Sequence, residues 1–252
     1  SGPGPSRNIG FARAAGFYFV VFDSDCIIPP GYFEAVEKAL ALEKLDAWGG
    51  PDRAHENFTP LQQAMGYTMA SVLTTGGIRG GKKKGFQPRS FNMGISKEVF
   101  EKIGGFKFDR LAEDIELSIR MKKMGFNVSL IPDAFVYHKR RTTLNQFYHQ
   151  VFNFGRGRIM VGKAHPGEIK ITHWFPALFT MGLLMIPFLF LLTPLAAWVM
   201  AIYGVYFIGI LADSWRQNRS ILVAALSVPA AFIQLVGYGF GFLKQWRKSY
   251  MG

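Results

Sequence analysis

Apolar positions along this chain change their rhythm twice. Up to about residue 140, short apolar runs alternate with stretches of helical spacing, the pattern of an α/β domain. Residues 6–15 read as a helix and Phe17 to Asp23 as a buried strand. Residues 30–44 read as an amphipathic helix opened by Pro29-Pro30, because proline suits a helix start. Trp48 to Pro51 is a short strand and turn, and 59–75 has helical spacing at Leu61, Met65, Met69 and Val72. Residues 76–87, with five glycines and three successive lysines, form a loop that is either a solvated charge run or an acceptor contact. Phe91 to Ile95 is the next strand, and Ser96 caps a helix to Ile103 that Gly104-Gly105 stops. Residues 113–124 form a further helix ending at Gly125, and Ala134 to Tyr137 a last strand.

The second regime, 142–173, carries Leu144, Phe147, Val151 and Phe154, followed by Arg156, Arg158 and Lys163. That pattern fits a helix lying in a membrane interface. The third, 174–252, is a membrane region of two to three helices. Trp174 to Ala212 contains no charged residue, and Pro194 divides it into spans of about 175–193 and 195–212. Ile221 to Leu243 is a third apolar stretch. The basic first domain abuts the first span, which places it on the cytoplasmic face, and Arg216 and Arg219 agree. A third crossing would put Lys244, Arg247 and Lys248 outside, against the positive-inside tendency. Either that stretch turns back, or more sequence follows.

The 49% hydrophobic content of the 252 residues supports one α/β domain with a membrane region. The net charge of +12 does not indicate nucleic acid as a partner. The basic residues make no recognition helix and cluster at 79–89 and 139–163, beside the apolar tail, where membrane lipids or phosphates are the simpler partners. A single cysteine, Cys26, excludes an intrachain disulfide.

Candidate chemistry begins where the strand runs into Asp23-Ser24-Asp25. Alternate strand residues share a face, so both carboxylates can aim at one point at the carboxyl end of a sheet, where ligands bind. Two hard oxygen donors suit Mg²⁺ or Mn²⁺, although a plain surface turn has the same residues. Glu113 and Asp114 open a helix whose last turn holds Lys122 and Lys123, a charge order that the helix dipole alone would favour. His138 closes the last strand and is either structural or a ligand.

Taken in order, Ser6-Arg7-Asn8-Ile9-Gly10, Ala14-Ala15-Gly16, Asp23-Ser24-Asp25, Asn92-Met93-Gly94, Ile103-Gly104-Gly105-Phe106, Glu113-Asp114-Ile115-Glu116-Leu117, Pro132-Asp133-Ala134 and Val136-Tyr137-His138 resemble the family-2 inverting glycosyltransferases over residues 6–160. The resemblance implies a Rossmann-like catalytic domain in residues 1–141 and a nucleotide-sugar donor. It also implies Asp23, Asp25 and His138 at the metal and Asp114 as general base. By the same resemblance Glu113 and Glu116 orient the base or meet the acceptor, and Arg7, Asn8 and Asn92 contact substrate. Arg140 and Arg141 compensate the departing nucleoside diphosphate.

Family members open with further strands that hold the nucleotide base, so the catalytic domain is expected to be incomplete at its amino end, with an uncovered sheet edge. Processive synthases of the family carry Gln-x-x-Arg-Trp, whereas Gln150 here is followed by Val-Phe-Asn-Phe-Gly-Arg. That departure favours transfer of a single sugar to a lipid-linked or glycan acceptor, in cell-surface glycan assembly at a bacterial inner membrane. A processive synthase and a polyprenyl-phosphate sugar synthase are the enzymatic alternatives. A non-catalytic membrane-anchored subunit is the alternative of another class.

Overall fold

The apolar run that feeds the Asp-Ser-Asp segment forms β1 (Tyr18–Phe22) in the computed structural model, which describes residues 2–53, 55, 57–75 and 86–251. Before it stands α1 (Pro3–Arg13), and after it follow β2 (Cys26–Ile27), α2 (Tyr32–Leu42), β3 (Ala47–Gly49) and β4 (Asp52–Arg53). Then come α3 (Pro60–Ala70), α4 (Val72–Thr75), β5 (Asn92–Ser96), α5 (Lys97–Ile103), α6 (Glu113–Lys123), β6 (Val128–Leu130) and β7 (Val136–His138). The chain ends in four long helices, α7 (Leu144–Ala164), α8 (Ile171–Leu192), α9 (Leu195–Asn218) and α10 (Ile221–Tyr250). It divides into two compact units, residues 1–56 with 81–139, and residues 57–80 with 140–252.

The first unit is α/β. Its main sheet runs β1-β5-β3-β6, and β1 and β3 both pair antiparallel with β5 while β6 lies parallel to β3. β1 stands at the edge, with β5 as its one neighbour among the described residues. A smaller sheet runs β2-β7-β4. Strand alternation sends Phe19 and Val21 to one face, where Phe11, Met93, Ile95, Val99, Leu117 and Met121 complete a core. Tyr18, Val20 and Phe22 point to the other, against Tyr32, Val36 and Trp48. Helices therefore cover both faces, the arrangement that a continuous apolar strand demands.

Local signals explain the helix ends. Ser96 accepts from Val99 N and caps α5, and Gly104 stops it in the left-handed conformation at φ 74°. The helical spacing over 59–75 divides into α3 and α4, because Ser71 adopts extended backbone and its hydroxyl accepts from Leu73 N to start the second turn. Residues 76–85 of the expected loop lie outside the described residues.

Trp48 and Gly94 face each other across β3 and β5. A Cβ on Gly94 would overlap the fully buried indole ring. We expect Gly94→Ala to destabilise by about 1–3 kcal/mol, as overpacking does. Gly10→Ala, in an open helical position, should instead stabilise by roughly 0.5–1 kcal/mol. Thermal melts of the two variants in detergent check both signs.

Among the described residues, every regular element of the second unit is a helix. Three of its helices, α8, α9 and α10, are long and apolar enough to cross a membrane. The sequence limit of 141 for the catalytic domain falls close to the unit limit at Lys139, but α3 and α4 group with the carboxyl-terminal helices.

Candidate active site

The site is assembled at the carboxyl end of β1. That strand ends at Phe22, and Asp23 to Cys26 make a turn closed by Cys26 N donating to Asp23 O at 3.1 Å. β1 ends at Phe22, so both carboxylates stand on the turn and not on the alternating strand. Each instead finds its own partner. Asp23 Oδ1 accepts from Arg7 at 3.0 Å, and Asp25 Oδ1 lies 3.2 Å from His138 Nε2.

Pairing of the two small strands delivers His138. Cys26 is the register partner of His138, and Lys139 N donates to Asp25 O at 3.1 Å. Phe91 stacks on the imidazole at 5.0 Å between centroids and fixes its plane. Asp25, Cys26 and His138 each present a ligand atom, all within 4.8 Å of one another. The thiol is the poor member of this group. Burial pushes it up to about 12, it donates to Phe91 O, and a soft sulfur is a weak partner for a hard cation. The remaining carboxylate and imidazole suit a hard or borderline cation such as Mn²⁺ or Mg²⁺.

Asp114 comes from the opposite direction, in the first turn of α6. The residue before that helix, Ala112, is held at φ 58°, where a side chain costs roughly 1–2 kcal/mol, and this bend sets the direction of the Glu113-Asp114 pair. Asp114 Oδ1 accepts from Ile115 N at 2.7 Å and Oδ2 from Ser90 N at 3.3 Å, with Arg89 3.9 Å away. Two backbone donors fix the orientation of a group that is otherwise only partly covered.

Arg7 ties the two halves together. One guanidinium nitrogen donates to Asp23 at 3.0 Å and the other to Glu113 at 2.8 Å, while the group sits over the Phe106 ring at 5.4 Å. Burial raises Glu113 above its ordinary value, helped by the neighbouring Asp114 charge and opposed by Arg7. Asp23 is likewise raised by burial against the pull of Arg7, and the charges of His138, Asp25 and Asp114 all reach it. Four carboxylates outnumber the guanidinium groups of Arg7 and Arg89 and the His138 imidazole, and an added cation would offset the excess negative charge.

Other residues named from the motifs make bonds to the scaffold. Asn8 clamps the Phe106 backbone with both side-chain atoms at 2.8 Å. Asn92 is fully buried, accepting from Tyr32 at 2.7 Å and donating to Ala134 O at 2.8 Å. Glu116 forms a buried pair with Arg120, whose guanidinium also reaches Ile103 O and Gly105 O. These bonds hold the turns that carry the site. Arg140 and Arg141 begin the other unit, where Gln62 donates to Arg140 O at 2.9 Å. Arg89 and Ser90, which flank Asp114, were not singled out by the motifs. Their one sequence signal is their position just ahead of the β5 strand.

Residues 18–244 match the family described as glycosyl transferase family group 2. A probable glycosyltransferase, YdaM of Bacillus subtilis, is 26% identical over 162 residues, covering 62% of this chain and 38% of that protein. The succinoglycan biosynthesis protein ExoA of Rhizobium meliloti is 25% identical over 257 residues, covering 96% of this chain and 73% of that protein. This chain therefore spans well under half of YdaM and about three quarters of ExoA. Among solved structures, a mannosyltransferase from Pyrobaculum calidifontis, described in complex with GDP-Man and Mn²⁺, superposes with a TM-score of 0.57 at 18% identity. The match covers 93% of this chain and 66% of the other. That likeness establishes the glycosyltransferase fold, and the family match spans most of the sequence. The chain belongs to glycosyl transferase family group 2.

Proposed function

We propose that this chain carries the catalytic and membrane parts of an inverting, divalent-metal-dependent glycosyltransferase. It moves one sugar from a nucleotide diphosphate donor to a lipid-linked or membrane-proximal acceptor in cell-surface glycan assembly, with the catalytic unit on the cytoplasmic face of a bacterial inner membrane. The observation that carries this reading is the joining of the Asp23–Asp25–His138 corner to the Glu113-Asp114 helix start through one guanidinium, that of Arg7. The family match, the polysaccharide role in the name of ExoA, and the ligands in the description of the Pyrobaculum enzyme support it.

Asp25 and His138, with Asp23 beside them, would hold Mg²⁺ or Mn²⁺, which supplies compensation for the charge of a diphosphate. Inversion needs an acceptor hydroxyl to lose its proton on the face opposite the leaving nucleotide. Asp114 takes that proton, since its carboxylate is oriented by Ile115 N and Ser90 N and sits on a rigid helix start. Glu113 is already engaged by Arg7 and so positions its neighbour rather than meeting the acceptor. Arg7, bound at both ends, couples the donor corner to the base.

The test is product analysis. Membranes containing the protein are given a set of labelled nucleotide sugars, a divalent cation and a lipid extract. We expect one labelled sugar per acceptor, with the anomeric configuration of the donor inverted by NMR. A polymer would instead show a processive synthase, and a product of retained configuration would remove the role of Asp114 as base. Lack of transfer with the native acceptor supplied would favour a non-catalytic subunit.

A further inference from the structure

By length and composition α8, α9 and α10 can each cross a membrane, but their packing differs. In the most apolar stretch of α8, 22% of residues are buried, and in α9, 11%, against 44% in α10. We propose that only α8 and α9 cross the bilayer, as a hairpin, and that α10 lies beside α7 along the membrane surface, with the carboxyl terminus on the same side as α7.

α10 runs in parallel with α7 over nearly the full length of the shorter helix. Phe147 and Val151 meet Ala230 and Ile233 near the start. In the middle, a Cβ on Gly155 would overlap Tyr238 O, and one on Gly241 would overlap Phe152 O, so the two backbones are in close contact. Toward the end, Arg156 Nε donates to Gln245 Oε1 at 3.4 Å and Lys163 Nζ to Ser249 O at 3.4 Å. These contacts keep step over some 25 Å of helix, at about 1.5 Å per residue.

α7 cannot follow α10 into hydrocarbon. It carries Asn145, Gln146, His149, Gln150 and Asn153 as well as Arg156, Arg158 and Lys163, and charged groups are expelled from a bilayer core. A crossing α10 would have to take α7 with it or abandon the whole contact.

The hairpin contacts point the same way. α10 meets α8 through Trp174 against Phe242 and Trp246, and through Thr180 Oγ1 donating to Leu235 O at 3.4 Å. It meets α9 through Phe207 against Phe232 and through a 2.7 Å bond between Ser214 and Ser227. The described contacts thus fall near the start of α8 and toward the end of α9, at the two feet of the hairpin, and successive parts of α10 touch one foot and then the other. A helix lying across the base makes this pattern. Beyond the feet the hairpin exposes large apolar side chains such as Leu184, Phe188, Trp198, Ile202 and Val205, as lipid-facing helices do.

The arrangement also removes the charge conflict that three crossings create. Lys244, Arg247 and Lys248, all exposed, stay on the side of Lys163 and Lys170, where they meet anionic headgroups. Trp174 and Trp246, paired at 6.4 Å, then lie at the depth favoured by aromatic side chains.

Single cysteines report the topology without any reading of activity. Ala164→Cys, Thr193→Cys and Met251→Cys are made separately in the full chain and treated with a membrane-impermeant maleimide, in sealed vesicles and again after permeabilisation. The unsubstituted chain, with Cys26, sets the background. We expect positions 164 and 251 to label from one side and 193 from the other. Lys248→Cys repeats the terminal measurement one turn earlier, should the first variant fail to insert. Labelling of 251 or 248 from the same side as 193 would overturn the proposal and restore a third crossing.

Discussion

Replacing Asp114 by asparagine is expected to cut sugar transfer by about 10²–10⁴-fold, the loss typical of a missing general base. Asparagine retains the shape of the side chain and an oxygen that can still accept from Ile115 N, so α6 should start as before. It cannot take a proton from an acceptor hydroxyl. Donor affinity should change little, because the proposed donor corner, Asp23, Asp25 and His138, lies on other segments of the chain. Steady-state transfer and equilibrium binding of the nucleoside diphosphate separate these outcomes. If donor binding disappears while turnover at saturation survives, Asp114 belongs to the nucleotide site and its assignment as base is wrong.

Replacing Asp25 by asparagine should remove the part of donor binding that depends on a divalent cation. Loss of a mere supporting partner of a metal ligand costs about 10–100-fold in metal affinity, so loss of the ligand itself should cost at least that. The structure should survive. Asp25 is one-third exposed on a turn whose closing bond uses the Asp23 carbonyl, and its own carbonyl still accepts from Lys139 N. Calorimetry with a nucleoside diphosphate, with and without Mn²⁺, gives the readout, and an unchanged melting temperature guards against misfolding. Equal Mn²⁺-dependent affinity in variant and parent would sink the metal assignment. Asp23→Asn is the less clean experiment, since it also cuts the Arg7 bridge.

Much of the α/β unit was legible because its signals are local. The alternation of Tyr18 to Phe22 predicts a strand buried on both faces, and the two cores confirm it. Ser96 and Gly104-Gly105 bracket α5 through a cap and a left-handed stop, both of which act within a few residues. The 59–75 segment reads as one helix because its apolar spacing continues through Ser71. The break there depends on a hydroxyl bonding the backbone two residues on, which hydrophobic periodicity does not register.

The site was legible in kind but not in arrangement. Motif order pointed to Asp23, Asp25, Asp114 and His138. The separate partners of the two aspartates follow from a turn and from the β2–β7 pairing, and that pairing joins segments more than a hundred residues apart. The guanidinium of Arg7 pairs with Asp23 and Glu113, a bridge that the motifs do not announce, because burial of both carboxylates makes a shared cation the favourable partner.

By itself, then, the sequence determined which segments are apolar, where helices start and stop, which residues bring carboxylate chemistry, and that the later part of the chain belongs with a membrane. These depend on composition and on spacing within one turn or one strand. Only the tertiary structure decided which carboxylate pairs with which cation, and which apolar helix has more of its surface covered by protein. Ile221 to Leu243 has the composition of a span, yet α7 lies against it over most of its length. Hydropathy measures what a helix could bury. What covers it is fixed by contacts between residues distant in sequence.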